Sequence, residues 1–161
     1  MTYLLDANAL ITAKNVYYAF DLVPAFWNWL EEKIAGGTVD TAARIRQELM
    51  RGRDEDPLKQ WVLTQPALGR DPTARTVQCM RELSAWADAE PRFTAGAKAA
   101  FLSSGDYYLI AEAMAHSDTL VTLETPQPQG KASVKIPDAC ARFDVNVVTT
   151  FEMLRWEGAS F

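Results

Sequence analysis

Four carboxylates stand at positions where an acid can do chemistry: Asp6, Glu48, Asp106 and Glu124. Asp6 follows the apolar run Thr2 to Leu5, and Glu124 follows the run Leu120 to Leu123. Asp106 heads a helical stretch behind Ser103-Ser104-Gly105, and Glu48 falls about two turns into the stretch that begins at Ala42. In an open parallel sheet, ligands bind outside the carboxyl ends of the strands. Acids at strand ends and at the heads of helices that return to those strands face one rim. Like charges gathered there repel unless something neutralises them. A hard divalent cation is the natural neutraliser, because Mg²⁺ takes oxygen ligands and keeps several waters. Paired ions of this kind activate water and stabilise the leaving oxygen of a phosphodiester. The chemistry needs neither histidine nor cysteine, which suits a chain whose one histidine is His116.

The positioning elements read as alternating short strands and helices. Strands are expected over Thr2 to Leu5, Thr38 to Thr41, Leu120 to Leu123, Val134 to Ile136 and Val145 to Thr149. They are short and apolar throughout, as parallel strands covered on both faces are. Asn8 reads as the N-cap of a first helix over Ala9 to Lys14. Pro24 opens a helix to about Ile34, with Phe26, Leu30 and Ile34 on one stripe. Further helices are expected at Ala42 to Met50, Asp106 to Ala115, Pro137 to Phe143 and Phe151 to Trp156. The segment from about 53 to 104 is polar and helical, with pieces at Leu58 to Leu63 and Thr73 to Ala89, and reads as an insertion. Right-handed crossovers make the whole a three-layer α/β/α sandwich with a central, mostly parallel sheet.

Length and composition agree with one globular domain. The chain has 161 residues, 48% apolar and 23% charged, which fits a soluble fold. No run approaches the roughly 20 apolar residues of a membrane span, and no signal peptide is visible. Met1 reads as the native start, because the first strand begins at once. Cys79 and Cys140 are isolated, as in a reduced cytoplasmic protein. Sixteen basic and 21 acidic residues give a net charge of −5. That argues against broad electrostatic capture of nucleic acid and leaves room for a local basic patch or a basic partner.

The motifs around the acids resemble those of PIN domains. Tyr3-Leu4-Leu5-Asp6-Ala7-Asn8-Ala9-Leu10-Ile11 is similar to the family's opening strand, Gly105-Asp106-Tyr107-Tyr108-Leu109-Ile110-Ala111 to its second motif, and Val121-Thr122-Leu123-Glu124 to its Thr-x-acid strand end. Glu48 matches the intermediate Glu by order and spacing. Lys135-Ile136-Pro137-Asp138-Ala139-Cys140 resembles a hallmark of the bacterial PIN-like group called DUF4411. The resemblance covers about residues 2–50 and 103–157. It departs at Glu124, where many PIN domains carry Asp. It implies a metal-dependent endoribonuclease using Mg²⁺ or Mn²⁺, commonly the toxin of a toxin–antitoxin pair. An antitoxin protein is then the expected partner, RNA the substrate, and a homodimer is compatible with the family.

Each acid also has a plain structural reading. Asp6 can close an Asx-turn, Asp106 can face a helix dipole, and Glu124 can be a loop acid. Glu48 can pair with Arg44 and Arg51 on one helix face; in the functional reading those arginines meet RNA phosphate instead. Asn8 and Thr122 stand ready to hold the acids in place. Asp138 reads as a helix-start charge, His116 as a helix C-terminal residue, and the tryptophans as core or interface. Two rivals come from other classes. A haloacid-dehalogenase-like phosphotransferase needs a second Asp two residues beyond the first, where this chain has Asn8. A non-catalytic PIN-like module that binds a protein needs no metal at all.

Overall fold

A computed structural model describes all 161 residues. Four strands form one sheet: β1 (Tyr3–Leu5), β2 (Val39–Asp40), β3 (Thr119–Val121) and β4 (Val147–Val148). Every pairing is parallel and the order is β2-β1-β3-β4. All three residues of β1 and of β3 are buried, as strands with helices on both faces must be. The chain leaves β1 for β2 on one side and later returns to place β3 on the other. The strand order therefore reverses between β1 and β3, and the crevice at that switch point is where such sheets bind ligands.

The helices are α1 (Ala7–Thr12), continued by a π-helical turn over Ala13–Tyr17, α2 (Pro24–Ala35), α3 (Ala43–Leu49), α4 (Pro57–Leu63), α5 (Ala74–Ala89), α6 (Ala95–Leu102), α7 (Gly105–His116), α8 (Ile136–Arg142) and α9 (Thr150–Trp156). Pro24 sits in the first turn of α2, and Phe26, Leu30 and Ile34 are its buried stripe. Thr73 with Thr76 and Thr149 with Glu152 form capping boxes that start α5 and α9. His116 closes α7, and Ser117 follows in the left-handed conformation at φ 55°. Cys79 and Cys140 are free and buried. No helix is long and apolar enough to cross a membrane.

Helices α4, α5 and α6 fill the segment between α3 and α7. A core cluster of 35 residues joins Leu4 and Leu120 of the sheet to Trp61, Leu83 and Phe101 of this segment. The added helices thus share the core, with α5 packed along α7. Arg70 ties them to the sheet: its main chain exchanges hydrogen bonds with Thr41 and Ala43, and its guanidinium donates to Asp118 at 2.7 Å.

Two expectations need correction. Val134 and Lys135 form no strand; Lys135 is instead the N-cap of α8, which opens at Ile136 with Pro137 as its second residue. The N–H of Ile136 is taken by the Glu124 carboxylate rather than by a neighbouring strand. Asn8 is not a cap. Asp6 fills that place on α1, two residues earlier, by accepting from the Ala9 N–H.

Candidate active site

Asp6 is the residue where β1 hands over to α1. Its N–H donates to the Val121 carbonyl at 3.1 Å, which extends the β1–β3 ladder by one step. The side chain is 1% exposed. Oδ1 accepts from the Ala9 N–H at 2.5 Å and Oδ2 from the Thr122 hydroxyl at 2.5 Å. Burial raises the carboxyl to about 6, although both hydrogen bonds oppose the shift and the charge of Glu124 reinforces it. Thr122 also accepts from the Glu124 N–H at 3.1 Å. One buried hydroxyl therefore couples the ends of β1 and β3.

Glu124 turns onto the start of α8. Its Oε2 accepts from the Ile136 N–H at 2.8 Å, and its Oε1 lies 3.7 Å from Lys135 Nζ. Glu48, near the end of α3, reaches across to α7, where Oε1 accepts from the Gly105 N–H at 2.9 Å. This approach requires glycine. A Cβ at Gly105 would stand 2.7 Å from Ile45 Cδ1 and 2.8 Å from Glu48 Oε1, closer than packed atoms allow.

Asp106 occupies the first turn of α7, behind the Ser104 cap. Its carboxylate makes none of the side-chain hydrogen bonds that occupy the other three acids. Burial raises it to about 7, with the charges of Glu124, then Asp6, then Glu48 adding to the effect and Lys135 opposing it. Asp106 therefore feels the charges of all three other acids, and Asp6 that of Glu124, near the switch point of the sheet. No three of them are grouped to hold a metal ion as they stand. Three are turned onto backbone N–H groups, which satisfies carboxylates that otherwise repel. An all-carboxylate donor set is nonetheless the kind that suits a hard cation.

The remaining residues singled out by sequence divide. Asn8 is exposed, accepts no role in holding Asp6, and lines a cavity of about 370 Å³ with Glu48, Gly105 and Asp106. Arg44 Nε lies 4.0 Å from Glu48 Oε1, its Nη2 donates to the Ser103 carbonyl at 3.4 Å, and its guanidinium lies over the Tyr108 ring. Arg51 is exposed beyond the end of α3. Asp138 accepts from the Gln127 N–H and pins the preceding loop. Sequence reasoning named neither Gly105 nor Lys135 as a site residue, although both stand inside the quoted motifs. The signal for Gly105 was its place directly before Asp106.

The profile of the family described as a domain of unknown function, DUF4411, matches residues 3–161. Comparison with curated proteins finds no match. Among solved structures, the chain is similar to one in the crystal structure of VapBC2 from Rickettsia felis bound to a DNA fragment from their promoter. The TM-score is 0.55 at 18% identity, over 92% of this chain and 98% of that one. At that identity the likeness speaks for the fold, a PIN-like α/β/α sandwich. With the profile spanning nearly every residue, the chain belongs to the DUF4411 family.

Proposed function

We propose that the protein is a divalent-metal-dependent endoribonuclease and the toxin of a toxin–antitoxin pair. The observation that carries this reading is Asp106: a carboxyl raised to about 7, free of side-chain hydrogen bonds and flanked by three further acids at the sheet's switch point. Asp6, Glu48, Asp106 and Glu124 would hold Mg²⁺ or Mn²⁺. When bound, the cation supplies an activated water and neutralises charge on the phosphodiester. Thr122 fixes Asp6 by donating to Oδ2. The Gly105 N–H keeps Glu48 aimed at the rim, and the Ile136 N–H does so for Glu124. Arg44 and Arg51 are the arginines assigned to RNA phosphate, and Asn8 the polar group on the cavity wall. RNA as substrate rests on the resemblance to PIN domains.

The likeness to a chain of VapBC2 supports a protein partner. A rim with four acids and only Lys135 and Arg44 beside them is complementary to a further basic side chain, and an arginine can bridge two carboxylates in a fork. The antitoxin is therefore a protein that places a basic side chain among Asp6, Asp106 and Glu124. The test is expression of the chain without its partner, beside Asp6→Asn, which keeps size and removes charge. Growth should slow with the wild type and recover with the variant, and purified wild type should cut RNA with Mg²⁺ or Mn²⁺ where Asp6→Asn does not. A harmless wild type that cuts no RNA leaves the protein-binding module as the better account.

A further inference from the structure

A second cavity adjoins the acids on the side away from Asn8. It has a volume of about 190 Å³ and runs between α6 and the segment 132–135. Asp106 and Ser104 line both this cavity and the one beside Asn8. The two hollows thus meet at the free carboxylate. Its lining includes Ala100 and the buried Phe101 of α6, Val134, Glu124 and Lys135. The walls are held in place from both sides. The Thr94 N–H donates to the Lys131 carbonyl at 3.1 Å, Arg92 donates to the carbonyls of Gln127 and Pro128, and the Ile136 N–H is fixed by Glu124. The insertion and the proline-bearing loop therefore build this hollow together.

We propose that this cavity seats the nucleobase next to the scissile phosphate of an RNA strand, with Lys135 on that phosphate. The proposal rests on the nuclease reading of the acid rim and adds where the substrate lies. Size points to one ring system: the volume is below the roughly 300 Å³ at which pockets for drug-sized ligands begin. The interior chemistry agrees. Half of the lining is apolar, Ala97, Ala100, Phe101 and Val134 among it, and bases of every kind pack on apolar surfaces. Charge agrees as well. Lys135 Nζ is 3.7 Å from Glu124 Oε1, so the cation stands beside the acids where a phosphate would approach.

The test uses Ala100→Trp, which fills the slot from an exposed position of α6, with Lys135→Ala and Lys135→Arg beside it. Cleavage of a randomised RNA pool with Mn²⁺ gives KM, kcat and the base preferred beside the break. Folded Ala100→Trp should raise KM about tenfold, the order of one lost base-stacking contact, and should change the preferred base. Lys135→Ala should raise KM and Lys135→Arg should restore it. Unchanged KM and preference in folded Ala100→Trp overturns the proposal. Crosslinking with 4-thiouridine RNA separates the two readings. Crosslinks to 97–101 or 132–135 from a wild type that does not cut would remove the nuclease reading and keep the base seat. A wild type that cuts but crosslinks only elsewhere removes the base seat and keeps the nuclease. A slot that takes a basic peptide and no RNA also overturns the proposal.

Discussion

Asp106 is held at about 7 by burial and by three acid neighbours, so its ionisation is tied to folding. A carboxyl whose pKa is raised in the native chain binds its proton more tightly there than when unfolded. Its contribution to stability is fully present below pH 4 and is lost as pH rises through about 7. Asp6, raised to about 6, acts in the same direction. The metal-free protein should therefore lose stability between about pH 4 and 7. Asp106→Asn should flatten that loss and gain ~1–3 kcal/mol at pH 8, a figure reduced for the partial exposure of the group. Urea unfolding across pH in the presence of chelator measures it. An Asp106→Asn curve that tracks the wild type would show that folding does not raise this carboxyl. Thr122 offers a second check at this scale. Thr122→Val keeps the shape, strips Asp6 and the Glu124 N–H of a partner, and should cost ~1–3 kcal/mol in urea.

At the scale of elements, the site is a junction of four: the ends of β1 and β3, the end of α3 and the start of α7. Gly105 lets the two helices meet, with Glu48 bonded to its N–H. Gly105→Ala should destabilise by ~1–3 kcal/mol through overpacking against Ile45, and should displace Glu48 from the rim. Equal denaturation midpoints for variant and wild type would rule out that role. The elements carrying motifs were legible in the sequence because their signals are local. β1 and β3 are apolar runs ended by an acid, and α2 shows its stripe and its proline. The strand read at Val134 to Ile136 was not there, because a β-branched pair flanking a lysine looks like a strand until the tertiary partner is known. Glu124 supplies that partner from 12 residues away and makes the segment a helix start. The cap of α1 was misplaced for a related reason. Asn8 and Asp6 are both good capping residues, and only the depth of Asp6 decides between them.

Over the whole molecule, the distribution of charge matters more than its sum. A net charge of −5 with an acidic rim gives little pull on RNA before a cation binds. Association with a basic partner should instead be steered by charge, so its on-rate should fall as salt rises while a neutralised rim, as in Asp6→Asn, weakens the dependence. Stopped-flow association at two salt concentrations reads this, and an on-rate indifferent to salt would contradict it. The insertion is where sequence alone said least. Two of its helices were visible, α4 and α5, but α6 was not read, and nothing local announced that it would lie against the 132–135 segment beside Asp106. Such a pairing depends on contacts between distant stretches, among them Thr94 with Lys131, which carry no periodic pattern.

The central claim is that Asp6, Glu48, Asp106 and Glu124 form one cation site. Calorimetric titration of Mn²⁺ into the wild type and Asp106→Asn near pH 6.5, in two buffers of different ionisation enthalpy, addresses it directly. Deprotonating a carboxyl that sits at about 7 must accompany binding, so the wild-type heat should depend on the buffer through proton release. Asp106→Asn should lose most of that release and bind at least about tenfold more weakly. Binding of equal strength by both proteins, or none by the wild type at millimolar Mn²⁺, would contradict the account.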